Sequence, residues 1–100
     1  MHTIIDELEC FIDDELSGSK NYINKALHYK YSDKEFGDYM HKYSEEEMKH
    51  ATSHIDMWNK HILLMEPAWQ EKYKELNEYK ASEFTKCLNN TSMKMIVYRS

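Results

Sequence analysis

Apolar side chains recur at steps of three and four along the first third of the chain, which is the pattern of an amphipathic helix. The pattern begins near Thr3 and continues to about Tyr31. Its phase does not change across the Ser-Gly-Ser at 17–19, so we predict one helix rather than two. The main stripe is Ile4, Leu8, Phe11, Glu15, Gly18/Ser19, Tyr22, Ala26 and Tyr29, and its flanking row is Ile5, Ile12, Leu16, Ile23 and Leu27.

A second helix is predicted to begin at Ser32, because Ser32 and Glu35 have the spacing of a capping box. It ends at Glu66, before Pro67. Since it starts within a few residues of the first helix, the two are expected to be antiparallel neighbours. The row expected to face inward is apolar at both ends and polar in its middle: Phe36, Met40, Tyr43, Glu47, His50, His54, Met57/Trp58, His61 and Met65.

Pro67 is expected to open a third helix, whose weaker apolar stripe ends near Asn89-Asn90. Residues 91–100 have no evident helical period and are expected to form either a short strand or an arm on a neighbouring subunit. The predicted fold class is all-α, an antiparallel two-helix hairpin plus a third helix. It comprises a helical domain at 1–90 and a C-terminal tail or arm at 91–100. A chain of 100 residues is one domain, and it buries only a limited core alone.

Composition narrows the possible partners. Two glycines, one proline and 31% charged residues are typical of long helices with short loops. The net charge of -5 disfavours a nucleic-acid partner and favours a cation. The acidic N-terminus lacks the pattern of a signal peptide, and no apolar run is long enough to span a bilayer. Cys10 and Cys87 lack metal or redox spacing, so we expect buried thiols in a cytoplasmic protein.

Candidate chemistry lies in the polar middle of the second helix. Glu47 and His50 form a Glu-x-x-His pair, which lies on one face of a helix and can reach one ion. Glu15 is expected at a similar height on the first helix, given a rise of about 1.5 Å per residue. A carboxylate on a buried face is costly unless neutralised, hydrogen-bonded or bound to metal, although Glu15 at a helix edge would simply reach solvent.

Glu15, Glu47 and His50 together make half of a carboxylate-bridged di-metal site, so we predict that two copies of the chain combine to complete it. Carboxylates with imidazole suit iron, and manganese or zinc are alternatives. His54 is either a further ligand, a hydrogen-bond donor to one, or a hydrogen-bonded core histidine. With His50 it also has the spacing of a structural zinc site that includes Glu47.

Several of these residues carry a resemblance to a known family. The sequence Glu-Glu-Met-Lys-His-Ala at 46–51, followed by Trp58, and Asp14-Glu15 followed by Tyr22, resemble the ferritin-like superfamily over roughly residues 8–65. The closest likeness is to its half-bundle branch, the encapsulated ferritins. In that branch each chain supplies a two-helix hairpin, and two chains form a four-helix bundle.

The resemblance implies a ferroxidase centre between two subunits, made of Glu15, Glu47 and His50 from each. It also implies that Asp14 lies near an entry site and Tyr22 close to the metals. Independently of the resemblance, Glu46 either belongs to a solvated acidic face or feeds cations toward the site. The implied activity is oxidation of Fe(II) to Fe(III) by dioxygen or peroxide. The implied partner is a second copy, in a homodimer or a larger even-numbered oligomer.

The chain departs from the family pattern at Ser17, where the family has an acid, and at Asn21, where it has an aromatic residue. Residues 95–100 are unlike the Gly-rich peptide that docks such ferritins in a protein shell, so a shell host lacks a recognisable docking segment here. Two alternatives to the ferroxidase remain open. One is a non-enzymatic acidic helical interaction or structural protein, and the other is a structural zinc-binding helical protein.

Overall fold

The computed structural model describes residues 3–100, and Met1 and His2 of the predicted helical domain lie outside them. The protein is all-α, and residues 3–100 contain no strand. The predicted third helix is two helices, which are separated at Tyr73. The elements are α1 (Thr3–Tyr29), α2 (Lys34–Leu63), α3 (Pro67–Lys72) and α4 (Lys74–Arg99).

Helices α1 and α2 form the predicted antiparallel hairpin, and they make the most extensive contact in the molecule. Helix α1 is continuous through Gly18, as the unchanged apolar phase predicted. The N-cap of α2 is Asp33 and not Ser32, which lies in the turn. The Asp33 carboxylate accepts a hydrogen bond from the Phe36 backbone N–H at 3.1 Å, so it satisfies an N–H that has no partner within the helix.

Helix α4 lies along one side of the hairpin and is parallel to α1. Its start is tied to α1 by the Lys80 ammonium, which donates to the Glu9 carboxylate at 2.5 Å. Its end is tied to the turn after α1 by Lys30, whose ammonium donates to the Val97 carbonyl at 3.2 Å. The resulting bundle is a rod of 55 × 19 × 14 Å.

The expectation of a strand or an arm at 91–100 is wrong, because residues 91–99 belong to α4. The buried side chains of this stretch, Thr91, Met95 and Tyr98, pack on the chain's own hairpin. Met93 and Val97 point to solvent between them. Apolar residues on two sides of one helix leave no single stripe, and this is why the sequence did not reveal the helix.

The buried face of the hairpin is the face that α4 covers, and on α2 it is offset from the predicted row. Its largest side chain is Trp58, whose indole N–H donates to Glu9 at 3.1 Å and whose ring meets Phe84 edge-on at 5.3 Å. The α2 residues that are buried are Gly37, Met40, Ser44, Ala51 and Trp58. Phe36, His50 and Met57, which were expected to face inward, are exposed, because no element covers that side of α2 among residues 3–100.

This uncovered side of the hairpin is here called the open face. Its members recur at heptad-like spacing on both helices and are all exposed or half-buried. They are Ile4, Phe11, Glu15, Gly18, Tyr22 and Tyr29 on α1, and Phe36, Tyr39, Tyr43, Glu47, His50, His54, Met57 and His61 on α2.

Two further expectations concern membrane-spanning segments and the cysteines. None of the helices in residues 3–100 combines the length and the apolar character needed to cross a membrane. Both cysteines are free thiols, but Cys10 is exposed and Cys87 is half-buried, so the prediction that both are buried is wrong. Cys10 follows Glu9 on α1 and lies away from the face that α4 covers.

The far end of α4 is locked by Tyr98, whose hydroxyl donates to the Asp38 carboxylate at 2.5 Å. Burial, together with this hydrogen bond and the negative charge of Asp38, raises the pKa of Tyr98 to about 12. The unfolded chain loses this proton near pH 10, whereas the folded chain keeps it to about pH 12. The stabilising contribution is therefore complete below pH 10 and is lost as the pH rises toward 12.

We therefore expect Tyr98→Phe to lower the free energy of unfolding by about 1 kcal/mol near neutral pH, since it removes one hydrogen bond whose acceptor, the Asp38 carboxylate, is largely exposed to solvent. The difference between wild type and variant should shrink through pH 10 to 12. Urea unfolding followed by circular dichroism, repeated across that pH range, measures both effects. A difference that stays constant up to pH 12 would contradict the assignment.

Candidate metal centre

Four of the six residues predicted to bind metal meet on the open face. Glu15 lies between two imidazoles: its Oε1 is 2.5 Å from His54 Nδ1, and its Oε2 is 3.7 Å from His50 Nδ1. The first distance is that of a short hydrogen bond. The expected match in height between the two helices of the hairpin is therefore confirmed for Glu15 and the polar middle of α2.

Glu47 completes the group. Its Oε1 is 3.7 Å from His50 Nδ1, as the three-residue spacing on one helix predicts. The side chains of Glu15, Glu47, His50 and His54, here called the Glu15 cluster, thus converge across the two helices of the hairpin. The contact of the His54 ring with Glu15 agrees both with a hydrogen-bond donor to a ligand and with a hydrogen-bonded histidine of the core.

Exposure differs sharply across the Glu15 cluster. The Glu15 side chain is 15% exposed, whereas that of His50 is 62% exposed. Glu15 therefore depends on its neighbours to compensate lost hydration, and His54 supplies a hydrogen bond. His50 turns one nitrogen toward the carboxylates and leaves most of its ring at the surface of the open face.

The two helices are held together beside the Glu15 cluster by a reciprocal pair of serines. The Ser19 hydroxyl contacts the Ser44 carbonyl at 2.8 Å, and the Ser44 hydroxyl contacts the Ser19 carbonyl at 2.7 Å. Both serines are fully buried. The Ser19–Ser44 pair fixes the register of α1 against α2 one residue after Gly18 and three residues before Glu47.

Aromatic side chains border the cluster on both sides. Toward the chain's start, the Phe11 ring lies 5.5 Å from the His54 ring. Toward the hairpin turn, Tyr22 and Tyr43 lie 6.0 Å apart, and Tyr43 meets Tyr39 edge-on at 4.8 Å. A hydrogen bond with Tyr43 raises the pKa of Tyr39 above its ordinary value. Tyr22 and Tyr43 thus pack on one another beside the carboxylates.

Two predicted metal residues do not join the cluster. Asp14 is exposed and Glu46 is half-buried, and each precedes a cluster carboxylate by one residue, which turns it about 100° around its helix. Within residues 3–100, no hydrogen bond or ion pair joins either of them to the cluster. Nor does this described part of a single chain contain a group of three or more His, Cys, Asp or Glu arranged to hold a metal ion.

One contributor was not recognised as such from the sequence. Gly18 lies one turn after Glu15, and the Glu47 carboxylate rests directly on it. The available signal was a glycine within an otherwise unbroken helical pattern, since such a glycine has a structural cost that calls for a close contact. The group that makes this close contact is the Glu47 carboxylate.

The chain matches no protein-family model, no curated protein and no solved structure. The site must therefore be interpreted from its own chemistry.

Proposed function

We propose that the protein is a ferritin-like iron-binding ferroxidase whose di-iron site forms between the open faces of two copies. The observation that carries this proposal is the convergence of Glu15, Glu47 and His50 on a face that no part of the chain covers among residues 3–100. Two such half-sites facing each other would supply four carboxylates and two imidazoles, the ligand set of carboxylate-bridged di-iron bundles.

The spacing of the donors suits a shared ion. Two ligand atoms bound to one ion at about 2.1 Å each lie about 3 to 4 Å apart. His50 Nδ1 is 3.7 Å from an oxygen of Glu15 and 3.7 Å from an oxygen of Glu47. Carboxylate oxygen with neutral imidazole nitrogen is a donor set that accepts Fe(II), Mn(II) or Zn(II).

The surroundings of the Glu15 cluster favour a second copy as its cover. The open face carries large apolar side chains on both sides of the cluster, among them Phe11 at 50% and Tyr39 at 51% exposure. Polar ligands inside an apolar border are typical of an interface that is buried on assembly. A two-fold axis through such a face brings identical patches together, so each half-site meets its own counterpart.

Each residue then has a distinct task. Glu47 and His50 bind from one helix, and Glu15 binds from the other with the oxygen that does not contact His54. His54 holds the Glu15 carboxylate in orientation through Nδ1, as hydrogen-bonded neighbours of ligands commonly do. Fe(II) held by these residues would be the substrate, and each Fe(II) would give one electron to dioxygen or peroxide and become Fe(III). The aromatic border of the open face would keep bulk water from the assembled site.

The first experiment is metal content per chain together with native mass, measured after Fe(II) is added without oxygen. We expect about one iron per chain in a dimer or larger even-numbered oligomer, because two chains share two ions. Chelation should lower the oligomer mass or its thermal stability, since binding and assembly are linked.

Other outcomes would favour the alternatives. One tightly bound zinc per monomer would indicate a structural zinc site. The observation that favours this alternative is that His50 and His54 both turn Nδ1 toward Glu15. An assembly indifferent to iron and chelators would indicate a helical interaction protein. Either result would overturn the ferroxidase proposal.

A further inference from the structure

A glycine in the interior of a long helix requires an explanation. Gly18 is the sixteenth of the 27 residues of α1, a position where alanine is intrinsically preferred. The backbone does not demand a glycine, because no glycine among residues 3–100 has a positive φ angle. The reason for a glycine is therefore sought in the atoms that occupy the space where a Cβ atom would lie.

The Glu47 side chain occupies that space. A Cβ atom at Gly18 would lie 3.1 Å from Glu47 Oε2 and 3.7 Å from its Cδ and Cγ atoms. The first distance is shorter than an ordinary contact between carbon and oxygen, so the carboxylate would have to shift by a few tenths of an ångström. The shift falls on Glu47 because its carboxylate is the free end of a flexible chain.

Helices α1 and α2 are held at a fixed separation beside Gly18. Ser19, the next residue of α1, exchanges two hydrogen bonds with Ser44 of α2, and both side chains are fully buried. Separating the helices to admit a methyl group would lengthen both of these bonds. Moving the carboxylate breaks no hydrogen bond, and it changes the distance between Glu47 and His50.

We propose that Gly18 is a positioning residue, which lets the Glu47 carboxylate lie against α1 at the place where it shares an ion with His50 and Glu15. This inference rests on the proposed metal site and adds a determinant of its geometry. The same carboxylate is anchored on α2, so its location is set by both helices of the hairpin. Metal sites require ligand placement to within about 0.5 Å, so a small shift has a measurable effect.

Gly18→Ala separates this role from a purely structural one. Alanine favours the helix, so the melting temperature should stay the same or rise by a few degrees. Affinity for Fe(II), titrated without oxygen, should fall by about tenfold, because one ligand is displaced. Ser17→Ala is the matched control: Ser17 is exposed on the same turn, and its replacement should leave affinity unchanged.

A second background tests whether Gly18 acts through Glu47. Glu47→Asp shortens the side chain, so its carboxylate no longer reaches the methyl group of Ala at position 18. The loss caused by Gly18→Ala should then be at least about threefold smaller than in the wild-type background, as coupled neighbours show. An equal loss in both backgrounds would overturn the inference.

The remaining outcomes are distinct. If the wild type binds Fe(II) and Gly18→Ala binds it equally well, the positioning role is wrong while the metal site stands. If Gly18→Ala loses affinity together with melting temperature, the methyl group disturbs helix packing and the inference also fails. If the wild type binds no Fe(II), the proposed function itself fails, and the inference fails with it.

Discussion

Replacing either Glu47 or His50 by alanine is expected to abolish iron oxidation. Each supplies a donor atom 3.7 Å from its partner in the cluster, and the proposed dimer uses each residue twice. A single substitution therefore removes two of six donors from the shared site. We expect the initial rate of Fe(III) formation to fall by about 100-fold or more, and bound iron per chain to fall with it.

Suitable controls remove the same chemical groups from elsewhere in the chain. Glu78→Ala removes an exposed carboxylate from α4, and His28→Ala removes an exposed imidazole that lies outside the open face. Both should oxidise iron at the wild-type rate. The measurement is the absorbance of Fe(III) after air is admitted to the Fe(II)-loaded protein. Wild-type activity in both the Glu47 and His50 variants would refute the site.

The second large effect concerns assembly. Met57 is 44% exposed on the open face. It lies about one helical turn after His54 and two turns after His50. In a two-fold dimer through this face, Met57→Lys introduces two charges that lose hydration without a partner. We expect the dissociation constant of the dimer to rise by about 100-fold, which corresponds to roughly 3 kcal/mol, and metal binding to be lost with the dimer.

Met93→Lys is the matched control for this experiment. Met93 is 59% exposed on the outer side of α4, so the same substitution adds the same charge outside the open face. Native mass by light scattering, with iron content on the same samples, separates the two variants. Circular dichroism should show both folded, since neither side chain is buried. A Met57→Lys variant that remains dimeric and iron-loaded would show that the open face is not the interface.

The two sets of variants test different features of the proposed dimer. The alanine variants test which atoms bind iron, whatever the oligomeric state. The lysine variants test which face is covered, whatever the metal. If Met57→Lys lost iron without a change in native mass, the metal site and the dimer interface would be different surfaces. The metal site would then belong to one chain, and the interface would lie away from the open face.

The sequence was sufficient for the hairpin and for the meeting of its polar residues. Helical period and loop length depend on local chemistry, and both can be followed along the chain. A fixed rise per residue then brings Glu15 level with His50 and His54 once the helices are antiparallel. The sequence was less reliable at the start of α2. The N-cap there is Asp33 and not the predicted Ser32, because both residues have side chains that can accept a hydrogen bond from the first turn.

What the sequence by itself determined is that two long helices with a polar middle lie antiparallel, with Glu15 beside the Glu-x-x-His pair. Only the tertiary structure decided which side of that hairpin is buried. Helix α4 is apolar on two sides, so its sequence does not say which side meets α1, and its packing is settled by contacts such as Trp58 with Phe84 and Glu9 with Lys80. Both sides of the hairpin carry apolar residues, so the sequence of the hairpin does not show which side α4 covers. Because α4 packs on the other side, the Glu15 cluster remains on the open face.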